Sequence, residues 1–455
     1  MSGISAKEVD SRRPKYLVIF REPAERNTST LSTVLKRGRS AAGVERGGVS
    51  LLAAGVTGVE TKVFEPLGVA AADLSETQAS NLRKREDVVA VVENEVRSLP
   101  PVRRSQGESK IAAADNRGPA TDVLAYLRGV RDAMNLAIAF HERGSTPPLE
   151  PTLFSAAAVA AAAPAATQQT TWGLRAIGVA TAISPPTGRG VKVAVLDSGI
   201  DFNHPDMGNK VERGVTARSF VTNITEQDVN GHGTHVAGTV CGPRQSAGGI
   251  RYGVAPDVSL LVGKVFNNAF RPKATDDDIL EGITWADEQG ARIISMSLES
   301  KRATGGDFPT LYEAVAQQLL DRAERSVLLV AAAGNASDRP QSVVCVQNPA
   351  ACPSIMSVAA VDRDLLVASF SCKKLDDIGP VDVSGPGVGV YSSFVEGGFE
   401  ELDGTSMAAP HVSGLAALYL EAEPGLTARQ LFERLRTRAR PLGDVTDFGA
   451  GLVQL

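Results

Sequence analysis

Two histidines stand three residues apart in N-G-H-G-T-H-V-A-G-T-V, residues Asn230–Val240, in a chain that has only five. Metal binding is one chemistry for such a pair, since imidazoles three apart share a helix face. Zinc proteases with two helical histidines, however, space them by four, as H-E-x-x-H, with the glutamate as base. Here the spacing is three and no Glu or Cys adjoins the pair to complete a ligand set, so no metal is predicted. The alternative is a general base at a helix N-terminus. Gly231 and Gly233 let other groups approach His232 closely, and Thr234, Ala237 and Gly238 let the helix pack tightly. His232 is then the base, and His235, one turn on, a packed structural histidine.

A base needs a nucleophile to activate. In D-G-T-S-M-A-A-P-H-V-S-G-L-A-A-L, Ser406 follows Gly404-Thr405 and opens an apolar helix. Serine at a helix start is ordinarily a cap. Here every neighbour except Met407 is small and Pro410 fits a first helical turn, so the hydroxyl is exposed beside helix N–H groups. In V-L-D-S-G-I-D, Asp197 is the first polar residue after an apolar run; taken alone it reads as a turn or cap aspartate. In V-A-A-A-G-N-A, Asn335 follows another such run, where its amide can donate to an oxyanion and Gly334 permits the approach of a substrate backbone.

The elements that must position these residues are legible as apolar runs. Val191–Leu196, Ser259–Val265, Ala291–Leu298, Ser326–Ala333 and Ile355–Val361 are nearly continuous, which suits strands covered on both faces. Helices lie between them. Thr275 with Asp278 caps one that turns Ile279, Ile283 and Ala286 inward; Thr310 with Glu313 caps another with Leu311, Val315 and Leu319 inward. The third segment, 168–455, is therefore an α/β parallel sheet flanked by helices, and ligand sites in such sheets collect at the carboxyl ends of strands.

Before it, residues 15–100 form a small α+β unit. Lys15–Phe20, Thr61–Ala70 and Asp87–Val96 are its strands, and Ser75 with Gln78 opens a helix at Ala79–Glu86. Residues 1–14 form a flexible N-terminus. Residues 101–167 are a linker with one helix, in which Val123, Leu127, Val130, Met134 and Ile138 keep helical spacing, and the alanine-rich run Ser155–Ala166.

With 455 residues, 43% of them hydrophobic, the chain can bury a large core and more than one domain. A net charge of −5 gives no footing for general nucleic-acid binding, and no run of eighteen apolar residues offers a membrane span. The first fourteen residues lack an apolar signal core, so the expectation is a cytoplasmic protein, or one exported without a cleavable signal peptide. Cys241, Cys345, Cys352 and Cys372 are too few and scattered for a disulfide framework.

Together, L-D-S-G-I-D, N-G-H-G-T-H-V-A-G-T, A-A-G-N and D-G-T-S-M-A-A-P-H-V-S-G resemble the signature motifs of the subtilases, the subtilisin-like serine proteases, in the family's order over essentially the whole third segment. The first segment is similar to the family's inhibitory propeptide, through its strand–helix–strand pattern ending in V-V-A-V-V-E-N-E. The resemblance implies a subtilisin-like fold and a serine endopeptidase made as a zymogen. Its partners are protein or peptide substrates and its own propeptide, with no nucleic acid and no membrane. It implies that Asp197 orients the base, His232 is the base, Ser406 the nucleophile and Asn335 the oxyanion donor. A substrate strand would add beside Ser295–Glu299, and Ser297, Leu298, Glu299, Ala332, Ala333 and Gly334 would line its pocket.

Two departures stand out. Ser295 and Glu299 replace the usual Asn and Gly; Glu299 either points to solvent or reaches over the peptide and favours Lys or Arg before the cut. Asp206 matches a calcium ligand of secreted subtilisins, but G-P-R-Q-S-A-G-G-I-R-Y-G-V-A-P lacks their asparagine-rich calcium loop. No cofactor is required, and calcium has no support from that loop. A catalytically dead scaffold is disfavoured because all four chemical positions are filled. An esterase would carry G-x-S-x-G, where this chain has G-T-S-M-A.

Overall fold

The apolar runs of the third segment become one seven-stranded sheet. In space its order is Thr216–Ser219, Ser259–Lys264, Lys192–Asp197, Ile293–Met296, Leu328–Ala332, Met356–Val361, Val383–Pro386, every neighbouring pair parallel. The computed structural model describes residues 14–21, 50–51, 62–100, 103–105, 169–208 and 215–455. Side chains alternate between faces, as the strand period of two requires. Val193, Val195 and Val330 pack on one face with the helices His232–Cys241 and Thr405–Ala422. Ala194, Leu196 and Leu329 pack on the other with the helices Asp276–Glu288 and Thr310–Asp321. Both faces are covered, which is why the runs are apolar throughout rather than alternating.

Thr275 N-caps Asp276–Glu288, and the Asp278 carboxylate returns to accept its N–H at 3.5 Å. The second predicted cap differs. Pro309 is the N-cap, Thr310 is the first helical residue, and Glu313 instead accepts from the N–H and hydroxyl of Ser354 at 3.0 and 2.7 Å. Leu311, Val315 and Leu319 still face inward.

The first segment is a small antiparallel sheet, in the order Ser50–Leu51, Lys62–Phe64, Val69–Ala72, Tyr16–Phe20, Val88–Glu93. The predicted run Thr61–Ala70 divides into two strands around the short 3-10 turn Glu65–Leu67. The capping box of Ser75 and Gln78 is present, on a helix at Glu76–Leu82 that begins and ends earlier than predicted. One face of this sheet, with Leu17, Ile19 and Phe64, shares an apolar cluster with Ile279, Ile283, Leu311 and Val315 of the two helices below it. The run Asp87–Val96 breaks at Asn94, whose side-chain amide is held by Asp277 at 2.9 Å. From there Val96–Ser98 leaves the small sheet and pairs antiparallel with Lys273–Thr275. Arg103–Ser105 belongs to the same body as the sheets, whereas the helix and alanine-rich run predicted within 101–167 lie outside the described residues.

Candidate active site

Asp197 is the last residue of the central strand Lys192–Asp197 and is fully buried. Its carboxylate accepts from His232 Nδ1 at 2.9 and 3.0 Å. His232 is the first residue of its helix. Gly233 makes the approach possible: a Cβ there would lie 2.4 Å from the carbonyl oxygen of Gly199, in the turn that follows Asp197. Burial lowers the pKa of His232, but the charge and hydrogen bond of Asp197, with Asp228 behind them, outweigh it and leave the imidazole above its ordinary value. Its neighbours go the other way. Burial takes His235 down to about 3, although its Nε2 donates to the carbonyls of Val390 and Glu400 at 2.9 and 3.2 Å. Burial likewise takes His411 down to about 4. Of the three, His232 alone is placed to exchange a proton near neutral pH.

Ser406 is the second residue of Thr405–Ala422, a helix that packs on the histidine helix. Its hydroxyl is buried and has no hydrogen-bond partner among the described residues. Pro410 sits in the second turn rather than the first. Lacking an N–H, it leaves the carbonyl of Ser406, four residues back, without a helical donor. The hydroxyl of Ser297 fills that gap at 2.9 Å. Ser297, predicted to line the substrate pocket, thus also braces the turn that presents Ser406.

Asn335 follows the strand Leu328–Ala332. Its Oδ1 accepts from Thr405 N at 2.8 Å and from Thr405 Oγ1 at 2.9 Å, which fixes the amide so that Nδ2 faces the serine turn. A Cβ on Gly404 would lie 3.6 Å from both Asn335 Nδ2 and the backbone nitrogen of Ser406. Two donors therefore flank one small space beside the hydroxyl, the arrangement that stabilises a developing oxyanion.

The predicted pocket residues come together at the ends of adjacent strands. Leu298, Ala332 and Ala333 are buried. Gly334 has φ +114°, and a Cβ there would lie 2.5 Å from Gln347 Cγ, so its backbone conformation and the packing of Gln347 both call for a glycine. Glu299 is half-buried and turns inward, accepting the N–H of Asn335 at 3.0 Å from the opposite wall. Burial raises its carboxyl pKa against the opposing pull of that N–H and of Arg103.

Residues 188–451 match the model of the subtilase family, Peptidase S8. The chain belongs to the subtilase family. It is 41% identical over 270 residues to subtilisin DY of Bacillus licheniformis, covering 59% of this chain and 90% of that one. It is 36% identical to an intracellular serine protease of Paenibacillus polymyxa, covering 59% and 80% respectively. Among solved structures it resembles sphericase, with a TM-score of 0.53, 32% identity and coverage of 63% and 99%. This subtilase is a serine endopeptidase that acts on proteins or peptides.

Family members commonly bind calcium, and Asp206 is the residue of this subtilase that matches a ligand. Its surroundings do not fit a cation. Oδ1 accepts from Ala247 N at 2.7 Å, and Oδ2 from Ser246 Oγ at 2.7 Å and Tyr252 Oη at 2.8 Å. Burial and the Asp206 charge push the Tyr252 pKa well up, so it stays a donor. The loop after the histidine helix thus supplies O–H and N–H groups where a calcium site would supply lone pairs. EDTA is expected to leave the melting temperature unchanged. Asp206→Ala, which strands the buried hydroxyl of Tyr252 and removes the acceptor of Ser246 and Ala247, should lower stability by about 1–3 kcal/mol. A chelator-induced fall in melting temperature would contradict this reading.

Asp228 is a residue that sequence reasoning missed. Its carboxylate accepts from Asn230 N, Gly231 N, Thr234 N and the hydroxyls of Ser198 and Thr234, capping the helix that carries His232. The signal was an aspartate just ahead of N-G at a helix start. Lys264, fully buried and donating to the carbonyl of Ser198, was hidden at the end of an apolar run.

Proposed function

We propose that this subtilase is made as a self-inhibited zymogen and cuts peptide bonds through an acyl-enzyme. His232 takes the proton of Ser406 as its oxygen attacks the carbonyl, and Asp197 holds the tautomer and stabilises the imidazolium. Asn335 Nδ2 and the Ser406 N–H receive the oxyanion. His232 then protonates the leaving amine, and a water activated by the same imidazole releases the acyl group.

One observation carries the zymogen reading. The end of the first segment pairs as a strand on both sides of Ser406. Upstream, Ser98 bridges antiparallel to Glu299, its N–H donating to the Glu299 carbonyl at 3.4 Å. Downstream, Arg103 pairs with Asp403 and Arg104 with Leu402, and Ser105 N donates to the Glu401 carbonyl at 3.0 Å. Arg103 also donates to the Asn335 carbonyl at 3.2 Å and lies over the ring of Phe370. An extended chain added to strand edges is how a peptide substrate is held, so this segment occupies the groove as an inhibitor. The cytoplasm suits the buried thiols of Cys345, Cys352 and Cys372, the last held up at about 11 by burial, and accords with the intracellular relative.

Intact mass spectrometry of the purified full chain tests the maturation. Wild type should lose its N-terminal part through a cut between residues 101 and 170, and Ser406→Ala should remain whole. An identical cut in the Ser406→Ala protein would show that processing is not its own work.

A further inference from the structure

The strand that lies in the groove brings one charged side chain into the body of the protein. Arg97 is 2% exposed. Its Nε donates to Asp276 Oδ1 at 2.6 Å and its Nη2 to Asp276 Oδ2 at 3.0 Å, a two-pronged pair. Nη1 donates to the hydroxyl of Ser300, and the guanidinium lies 5.2 Å from the centre of the Tyr312 ring. Tyr312 is itself buried and donates to Asp276 Oδ1 at 2.8 Å. Asp276 opens the helix Asp276–Glu288 and is 1% exposed.

We propose that Asp276, Tyr312 and Ser300 form a subsite of the peptide groove that takes an arginine side chain of the substrate, with Arg97 as its occupant in the uncut chain. The inference rests on reading Val96–Ser98 as lying where a substrate strand lies. Arg97 pairs with Ala274, and its neighbour Ser98 bridges to Glu299, so the backbone around it uses edges open to any extended peptide. The Asp276 carboxylate accepts four hydrogen bonds, from Arg97 Nε, Arg97 Nη2, Glu95 N and Tyr312 Oη. Three of them depart with the segment. A buried carboxylate left with one phenolic donor is costly. A substrate backbone can replace the N–H of Glu95, but only a planar, forked cation replaces both bonds of Arg97. Lysine offers a single point charge and fits less well.

Its place relative to the cut follows by counting. Four residues, 99–102, separate Ser98 at Glu299 from Arg103 at Asp403, which is three residues before Ser406. A bond presented to Ser406 within that stretch puts the arginine three to five residues before the cut.

The test uses protein expressed as the full chain and purified in the form to which it matures. Matched peptides carry Arg, Lys or Ala at the third, fourth or fifth residue before the cut. At one of these positions kcat/KM for Arg should exceed that for Ala by about ten- to a hundred-fold, the range for hydrogen bonds to a buried charge, with Lys between. In Asp276→Asn the Arg-to-Ala ratio should fall to within about three-fold, as expected when a neutral amide replaces the carboxylate. Cleavage without any Arg preference in the wild type overturns the subsite and leaves the protease reading standing, whether or not Asp276→Asn folds. If no peptide is cut, the protease reading falls, and a thermal shift decides the pocket. Methylguanidinium should raise the melting temperature of full-chain Arg97→Ala, but not of Arg97→Ala with Asp276→Asn. No rise in the single variant overturns the proposal.

Discussion

Ser406→Ala and His232→Ala each lower kcat by about a million-fold, and the double variant is hardly slower than either. That magnitude is the one known for subtilisin, whose triad acts in the same way. The reason lies in the division of labour. The Ser406 hydroxyl makes no hydrogen bond among the described residues, the imidazole of His232 included, and in the triad chemistry that imidazole is the group that takes its proton on attack. Removing either member ends that step, and removing the second takes away nothing more. The residual rate belongs to the oxyanion donors, Asn335 Nδ2 and the Ser406 N–H, which both variants retain. Single-turnover kinetics on one peptide checks this. Losses that multiply in the double variant would show that the two residues work on separate steps.

Asp197→Asn should lower kcat by about ten-thousand-fold near neutral pH, because an amide at Nδ1 favours the wrong tautomer. The loss should depend on pH, and its sign follows from the shifts. His232 works as a base only when neutral, and its pKa lies above the ordinary 6.5 because Asp197 outweighs burial. Wild-type kcat/KM therefore falls as pH drops through a point above that value. With Asp197 neutral, burial is opposed only by the more distant Asp228, and the limb moves to lower pH. The ratio of wild type to variant should shrink on acidification. A profile in which both limbs coincide would mean that Asp197 does not govern the imidazole.

Much of this site is legible in the sequence because each chemical residue borders a strong pattern. Asp197 ends an apolar run, Asn335 lies just past another, and His232 and Ser406 each open a helix marked by small residues. Such patterns are local, and the parallel sheet then brings the strand ends together. Less legible are residues whose meaning depends on a distant partner. Nothing near Arg97 in the chain announces Asp276, and nothing near Ser297 announces that Pro410 would leave the Ser406 carbonyl short of a donor. Thr216–Ser219 is a short, half-exposed edge strand without an apolar run, and Val383–Pro386 holds a glycine and a proline, so both escaped the period-based reading. Glu299 illustrates the same limit: its type suggested a charge at the groove, while its hydrogen bond to Asn335 N depends on a strand that follows much later.

In the proposed zymogen, the inhibiting segment, with its flanks at Glu299 and Asp403, is part of the chain that it inhibits. While the connection is intact, its contacts at Glu299 and Asp403 are intramolecular. Each flank need bind only weakly, since a tethered segment meets its site at an effective concentration on the order of millimolar. Inhibition in the uncut protein is then the same at every protein concentration. One cleavage turns the same contacts into a bimolecular complex that obeys mass action, and dilution favours its dissociation. Processed enzyme should thus gain specific activity as it is diluted and lose it when concentrated, while the unprocessed chain stays equally silent in both conditions.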